Sequence, residues 1–102
     1  MDRRLKFRDE LQEVMQSNKL YFQPPDGSKI TYPCAIYKVL NIDIDNADDL
    51  VYKHIVGWQI TIIDRSPDSI YPDRLMKQFG RARFDRAFTA DNLNHYVFTI
   101  YY

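Results

Sequence analysis

The run from Val51 to Ile63, VYKHIVGWQITII, limits what this chain can fold into more than any other stretch. Tyr52, Val56, Trp58, Ile60 and Ile62 share one face, and Lys53, Gln59 and Thr61 sit on the other, the period of a half-buried strand. A preceding run from Pro33 behaves alike: Ala35, Tyr37 and Val39 alternate with Cys34, Ile36 and Lys38, and Ile42 and Ile44 continue it with Asp43 and Asp45 between. The DNADD stretch, Asp45 to Asp49, reads as a turn, so the two runs predict a long β-hairpin. At about 3.3 Å per residue the second strand extends roughly 40 Å. A domain of this length is only about 30 Å across, so the hairpin tip is expected to project beyond the body. Gly57 inside the run predicts a bulge or a close backbone approach.

The flanking segments supply helices and a second hairpin. From Asp2 to about Gln16 the chain predicts a helix, because Phe7, Leu11, Val14 and Met15 fall on one apolar stripe, with Asp2 as its N-cap. Pro24-Pro25-Asp26-Gly27 reads as an irregular loop. A short helix follows Pro72, its buried stripe formed by Leu75, Met76 and Phe79 and its stop supplied by Gly80. Ala82, Phe84, Arg86 and Phe88 then begin a strand, Ala90 to Asn94 turn it, and His95 to Tyr102 return antiparallel and close the sheet. The expected fold class is α+β: a mainly antiparallel sheet with a long β-hairpin and two helices packed on one face. The 102 residues allow one core, hence a single domain, 1–102.

Composition removes several classes of function. Apolar residues make up 45% and charged residues 27%, too apolar for a disordered chain. The formal net charge is zero, which provides no global field for nucleic acid or an anionic membrane. Cys34 stands alone and has no internal disulfide partner, which favours a reducing compartment. The N-terminal MDRRLKFRDE lacks the apolar core of a signal peptide, and no stretch approaches a membrane span, so assembly in the cytoplasm and no membrane partner are expected.

No catalytic, cofactor or metal constellation emerges. His54 and His95 read as structural histidines, His95 bonding to turn backbone after DNLN. Cys34 reads as a small buried hydrophobe, and Ser66-Pro67-Asp68-Ser69 as a helix lead-in whose side chains satisfy orphan N–H groups. The aspartates near the hairpin tip lack the frame of a calcium loop. GRARFDRAF, Gly80 to Phe88, has the flavour of an RNA-binding strand but only Phe84 and Phe88 as aromatics, with Asp85 between, which departs from the required pattern. The chain is read as no enzyme, needing no cofactor and no metal.

Charge is segregated along the chain. Asp43, Asp45, Asp48 and Asp49 give residues 43 to 50 a net −4, whereas Arg74, Lys77, Arg81, Arg83 and Arg86 against Asp85 give residues 74 to 86 a net +4. Residues 2 to 8 add a further +3. One reading is solvated faces. The sharper one is a heterologous contact, in which the acidic hairpin of one subunit meets the basic surface of the next and the rotation closes a ring. Asp43, Asp45, Asp48, Asp49, Arg74, Arg81, Arg83 and Arg86 are the candidate interface residues.

The segments YFQPP, ITYPCAIYK, IIDRSPDS and FDRAFTADNLNHYVFTIYY resemble a family of short proteins from the structural modules of tailed phages, over roughly Tyr21 to Tyr102. The order of elements is also similar to the tail terminator, or tail-completion, fold that includes the lambda-type terminators. The resemblance implies a homohexameric ring capping the head-proximal end of the tail tube and presenting a surface to head-completion (stopper) proteins of the neck. Its implied partners are itself, the tail tube protein and those neck proteins, and its implied location is the virion. Genomic DNA would pass through without specific binding, and Asp43, Asp45, Asp48 and Asp49 are lumen candidates as well as contact candidates. The chain is shorter than the larger terminators. The alternatives are another neck component, a head–tail adaptor or stopper, and a small nucleic-acid-binding module.

Overall fold

The computed structural model describes the backbone of residues 3–24, 29–47 and 50–102, and the side chains of these residues apart from 3, 41–47 and 50–55. Asp2, the loop at 25–28 and the pair Asp48 and Asp49 therefore lie outside the described residues. Helix α1 (Arg3–Met15) leads into β1 (Leu20–Phe22), then β2 (Cys34–Ala47) and β3 (Leu50–Asp64). Helix α2 (Tyr71–Gln78) and the strands β4 (Ala82–Ala90) and β5 (Leu93–Tyr101) complete the order. The fold is α+β, with one five-stranded sheet in the order β1-β2-β3-β5-β4.

All neighbours in the sheet are antiparallel except β1 and β2, which pair in parallel, Leu20 opposite Ala35 and Phe22 opposite Tyr37. Strand β1 is an element that the sequence reading, with only a loop between α1 and the run from Pro33, does not contain. Its three residues are too few to show an alternating pattern, and a parallel mate distant in sequence leaves no local signal.

Register explains which side chains are buried. Along β3, Val56, Trp58, Ile60 and Ile62 face Ala35, Tyr37 and Val39 on one side and Tyr96, Phe98 and Ile100 on the other. These residues join Phe7, Leu11, Val14 and Met15 of α1 and Leu75 and Phe79 of the α2 region in a single core. Every member of the α1 stripe is buried, as its spacing predicts. Fully burying each such side chain contributes about 1.5–3 kcal/mol before conformational entropy is counted. The helices are also linked directly, the Arg74 guanidinium donating to the Val14 carbonyl at 3.4 Å and Gln78 to Glu10 at 3.0 Å.

Helix α2 departs from its predicted stripe at one position: Leu75 and Phe79 are buried, but Met76 is exposed. Pro72 sits in the first turn, as a missing N–H there is harmless, and Gly80 follows the C-cap Phe79. The bulge suggested by Gly57 lies on the strand opposite, where Val39 pairs with Trp58 and Asn41 with Gly57, leaving Leu40 as the extra, exposed residue. The final turn is tighter than predicted. Only Asp91 and Asn92 form it, with φ of 53° and 62°, the left-handed pair that a two-residue hairpin demands and that Asp and Asn tolerate.

Candidate functional site: an exposed basic edge strand

Among the described residues β4 is bonded to β5 alone, and every residue from Arg83 to Thr89 is exposed. Phe84 and Phe88 are half exposed, at 50% and 42%, on a strand that presents one unpaired edge to solvent. The ladder slips between Phe84 and Arg86, so Asp85 is an inserted residue. That slip corrects the simple alternation read from the sequence: Phe84 turns to Phe98 on the helix side, ring centroids 5.4 Å apart, whereas Arg86 and Phe88 lie on the opposite face. An aspartate within a strand is the only sequence hint of it.

Asp85 is the polar anchor of this edge. Its carboxylate accepts from the Thr99 hydroxyl at 2.6 Å and pairs with the Arg83 guanidinium at 2.8 Å. The Thr99 bond first, then Arg83 and Arg86, holds this carboxyl below its ordinary range. A depressed carboxylate stabilises the fold above its unfolded pKa, and that contribution is lost as pH falls through the folded value. Asp85→Asn is therefore expected to flatten the acid limb of stability, below about pH 4, relative to the natural protein. Urea midpoints measured across that window check this; parallel losses in both proteins would refute it.

Of the basic candidates, Arg81, Arg83 and Arg86 gather at β4. Arg86 lies 5.8 Å from the Phe88 ring centre, and Phe88 stacks on His95 at 4.6 Å with 10° between planes. Arg74 is elsewhere, on α2, held by the Val14 carbonyl and lying 6.0 Å from the Tyr71 ring centre. Of the acidic candidates, Asp43 stands opposite Ile55 and Asp45 opposite Lys53 in the β2–β3 ladder; their side chains, like all of Asp48 and Asp49, lie outside the described residues. Strand β5 reaches β3 only as far as Gly57, with Val56 bonded to Tyr102, so Leu50, Val51 and Lys53 to Ile55 pair with β2 and not with β5.

The remaining polar groups are structural. Burial pushes the Cys34 thiol up to about 12, which keeps it protonated and poorly nucleophilic. The His95 Nδ1 donates to the Leu93 carbonyl at 3.1 Å. Asp64 accepts from the Ser66 amide, Ser66 from Asp68 and Ser69 from Tyr71, so this stretch ties down its own backbone. The side chain of His54 lies outside the described residues. Among the described residues, no group of three His, Cys, Asp or Glu could hold a metal ion, and no helix is long and apolar enough to cross a membrane. A shallow depression beside the end of α1 is lined by Gln12, Glu13, Gln16, Ser17 and Asn18, all polar. No protein-family model, no curated protein and no solved structure matches the chain.

Proposed function

We propose that the protein is a tail terminator of a tailed phage, a non-enzymatic virion component that closes into a homohexameric ring at the head-proximal end of the tail tube and joins it to head-completion proteins. One observation carries the reading: a single sheet ends in an exposed strand rich in arginine, while the hairpin bearing Asp43 and Asp45 runs on past its last β5 partner. Unlike surfaces of opposite charge on one subunit favour head-to-tail contacts, and a closed rotation then makes a ring. The resemblance of YFQPP, ITYPCAIYK, IIDRSPDS and the C-terminal segment to short proteins of tailed-phage structural modules, and of the element order to the tail-completion fold, supports this position in the particle. Carboxylates lining a bore would also keep DNA phosphates from sticking as the genome passes.

Native mass spectrometry and light scattering, with and without tail tube protein, test this. A ring-sized oligomer, free or bound at tube ends, is expected. A persistent monomer that also ignores tube ends would overturn the proposal.

A second reading rests on Arg86, Phe88 and His95, a basic and aromatic group on the sheet face opposite the helices that is compatible with stacking a nucleobase. The two rings already cover one face of each other, which leaves little stacking surface. Salt-dependent binding to single-stranded oligonucleotides would promote it over the terminator.

A further inference from the structure

We infer that β4 is a docking edge, and that its occupant is the outer edge of β2 from a second copy of this chain, added to the sheet as one more strand. The inference rests on the ring reading and specifies the contact that makes the ring.

The backbone of β4 has groups to offer. Tyr101 donates its amide to the Arg81 carbonyl at 3.2 Å, which marks Arg81 as a bonded position of the β4–β5 ladder. Bonded and non-bonded positions alternate in an antiparallel pair. Arg83 is therefore bonded to β5, while Ala82 and Phe84 direct N–H and C=O away from it. At the other end, the two-residue turn makes Ala90 and Leu93 the closing bonded pair. Counting back to the inserted Asp85, Phe88 and Arg86 are bonded, and Ala87 and Thr89 point outward. Ala82, Phe84, Ala87 and Thr89 thus direct outward a ladder that meets no strand among the described residues.

Charge selects the strand that fits. Pairing β4 with β4 of another copy would oppose Arg81, Arg83 and Arg86 to one another, which is destabilising in a sheet. The sheet's other outer margin is different. Strand β1 pairs with β2 only from Ala35 to Tyr37, and Gln23 accepts the Val39 amide through its side chain. Beyond that point β2 is paired with β3, and its far margin is outside the β1 ladder. Residues 41 to 47, NIDIDNA, carry Asp43 and Asp45 and no Lys or Arg. An acidic β-strand whose outer edge has no strand partner among the described residues is the complement of a basic one, and strand addition supplies affinity through main-chain bonds while charge sets the partner. Because the two edges differ, each copy keeps one of each free, and assembly continues until the rotation closes.

Two measurements test the pairing. Ala87→Pro removes an outward N–H that the subunit itself does not use, at an exposed edge position where proline is tolerated. It is expected to keep the circular dichroism and thermal midpoint of the natural protein and to weaken self-association roughly tenfold or more. Hydrogen exchange on the unaltered protein gives a second readout free of any folding defect: the amides of Ala82, Phe84, Ala87 and Thr89 should gain protection as concentration drives assembly. Oligomers that form with these amides still exchanging freely, or a folded Ala87→Pro protein that assembles normally, overturn the edge pairing and leave the ring reading standing. A natural protein monomeric to about millimolar concentration overturns the edge pairing too, with effective concentrations of that order being what a ring closure supplies; the terminator reading then falls only if tube ends also fail to bind it.

Discussion

Phe7→Ala is expected to destabilise the fold by about 3–5 kcal/mol, the range for removing a fully buried aromatic ring. Phe7 has no exposed surface, and its ring lies 4.5 Å from Trp58 with 18° between planes. It also meets Tyr37 at 5.8 Å and both Phe79 and Tyr102 at 5.3 Å. One side chain of α1 therefore touches β2, β3, the C-cap of α2 and the residue that follows β5, and its loss unseats the helix from the sheet. Against a typical total stability of about 5–15 kcal/mol, the variant would sit near the limit of folding. Its thermal midpoint should fall by roughly 15–30 °C for a chain this long. Phe7→Leu keeps most of the volume and should cost less than about 1.5 kcal/mol. Urea titrations of the three proteins decide it: equal midpoints for the alanine variant and the natural protein would place α1 off the sheet.

Reversing Asp43, Asp45, Asp48 and Asp49 to Lys is expected to abolish assembly while leaving the subunit folded. The change replaces attraction toward Arg81, Arg83 and Arg86 of a neighbour by repulsion, and like-charge juxtaposition at an interface costs several kcal/mol. The smaller variant, Asp48→Lys with Asp49→Lys, should weaken assembly without eliminating it. Raising salt should weaken the natural assembly and have the opposite or no effect on the reversed one, since the screening length is only about 8 Å at physiological ionic strength. Sedimentation across a salt series reads both. Unchanged oligomers with an unchanged salt slope would retire charge pairing as the basis of the contact.

The elements that could be read from the chain are those whose pattern is local. The α1 stripe and the Val56, Trp58, Ile60 and Ile62 face of β3 are both buried as their periods dictate, because one face of each must leave water, while the side chain of Tyr52 lies outside the described residues. What could not be read depends on partners distant in sequence. Strand β1 exists because β2 is there to receive it, and Met76 is exposed although helical spacing alone assigns it to the interior. The candidate edge was half legible. The arginines of β4 stand out by charge, but the inserted Asp85, which sends Phe84 and Phe88 to opposite faces, is fixed by the Thr99 hydroxyl on a strand that follows it. Arg74 grouped with those arginines in sequence only; in space it belongs to the helix pair.

Trp58, the chain's single tryptophan, is almost wholly enclosed, and its indole nitrogen has no hydrogen-bond partner among the described residues. An indole in so dry a setting emits at short wavelength, and its light shifts red only when water reaches it. The molecule thus carries its own optical gauge of core integrity, silent to events at the sheet margin. Emission should stay constant while copies associate and change only when a subunit opens, so one cuvette can separate a variant that fails to assemble from one that fails to fold.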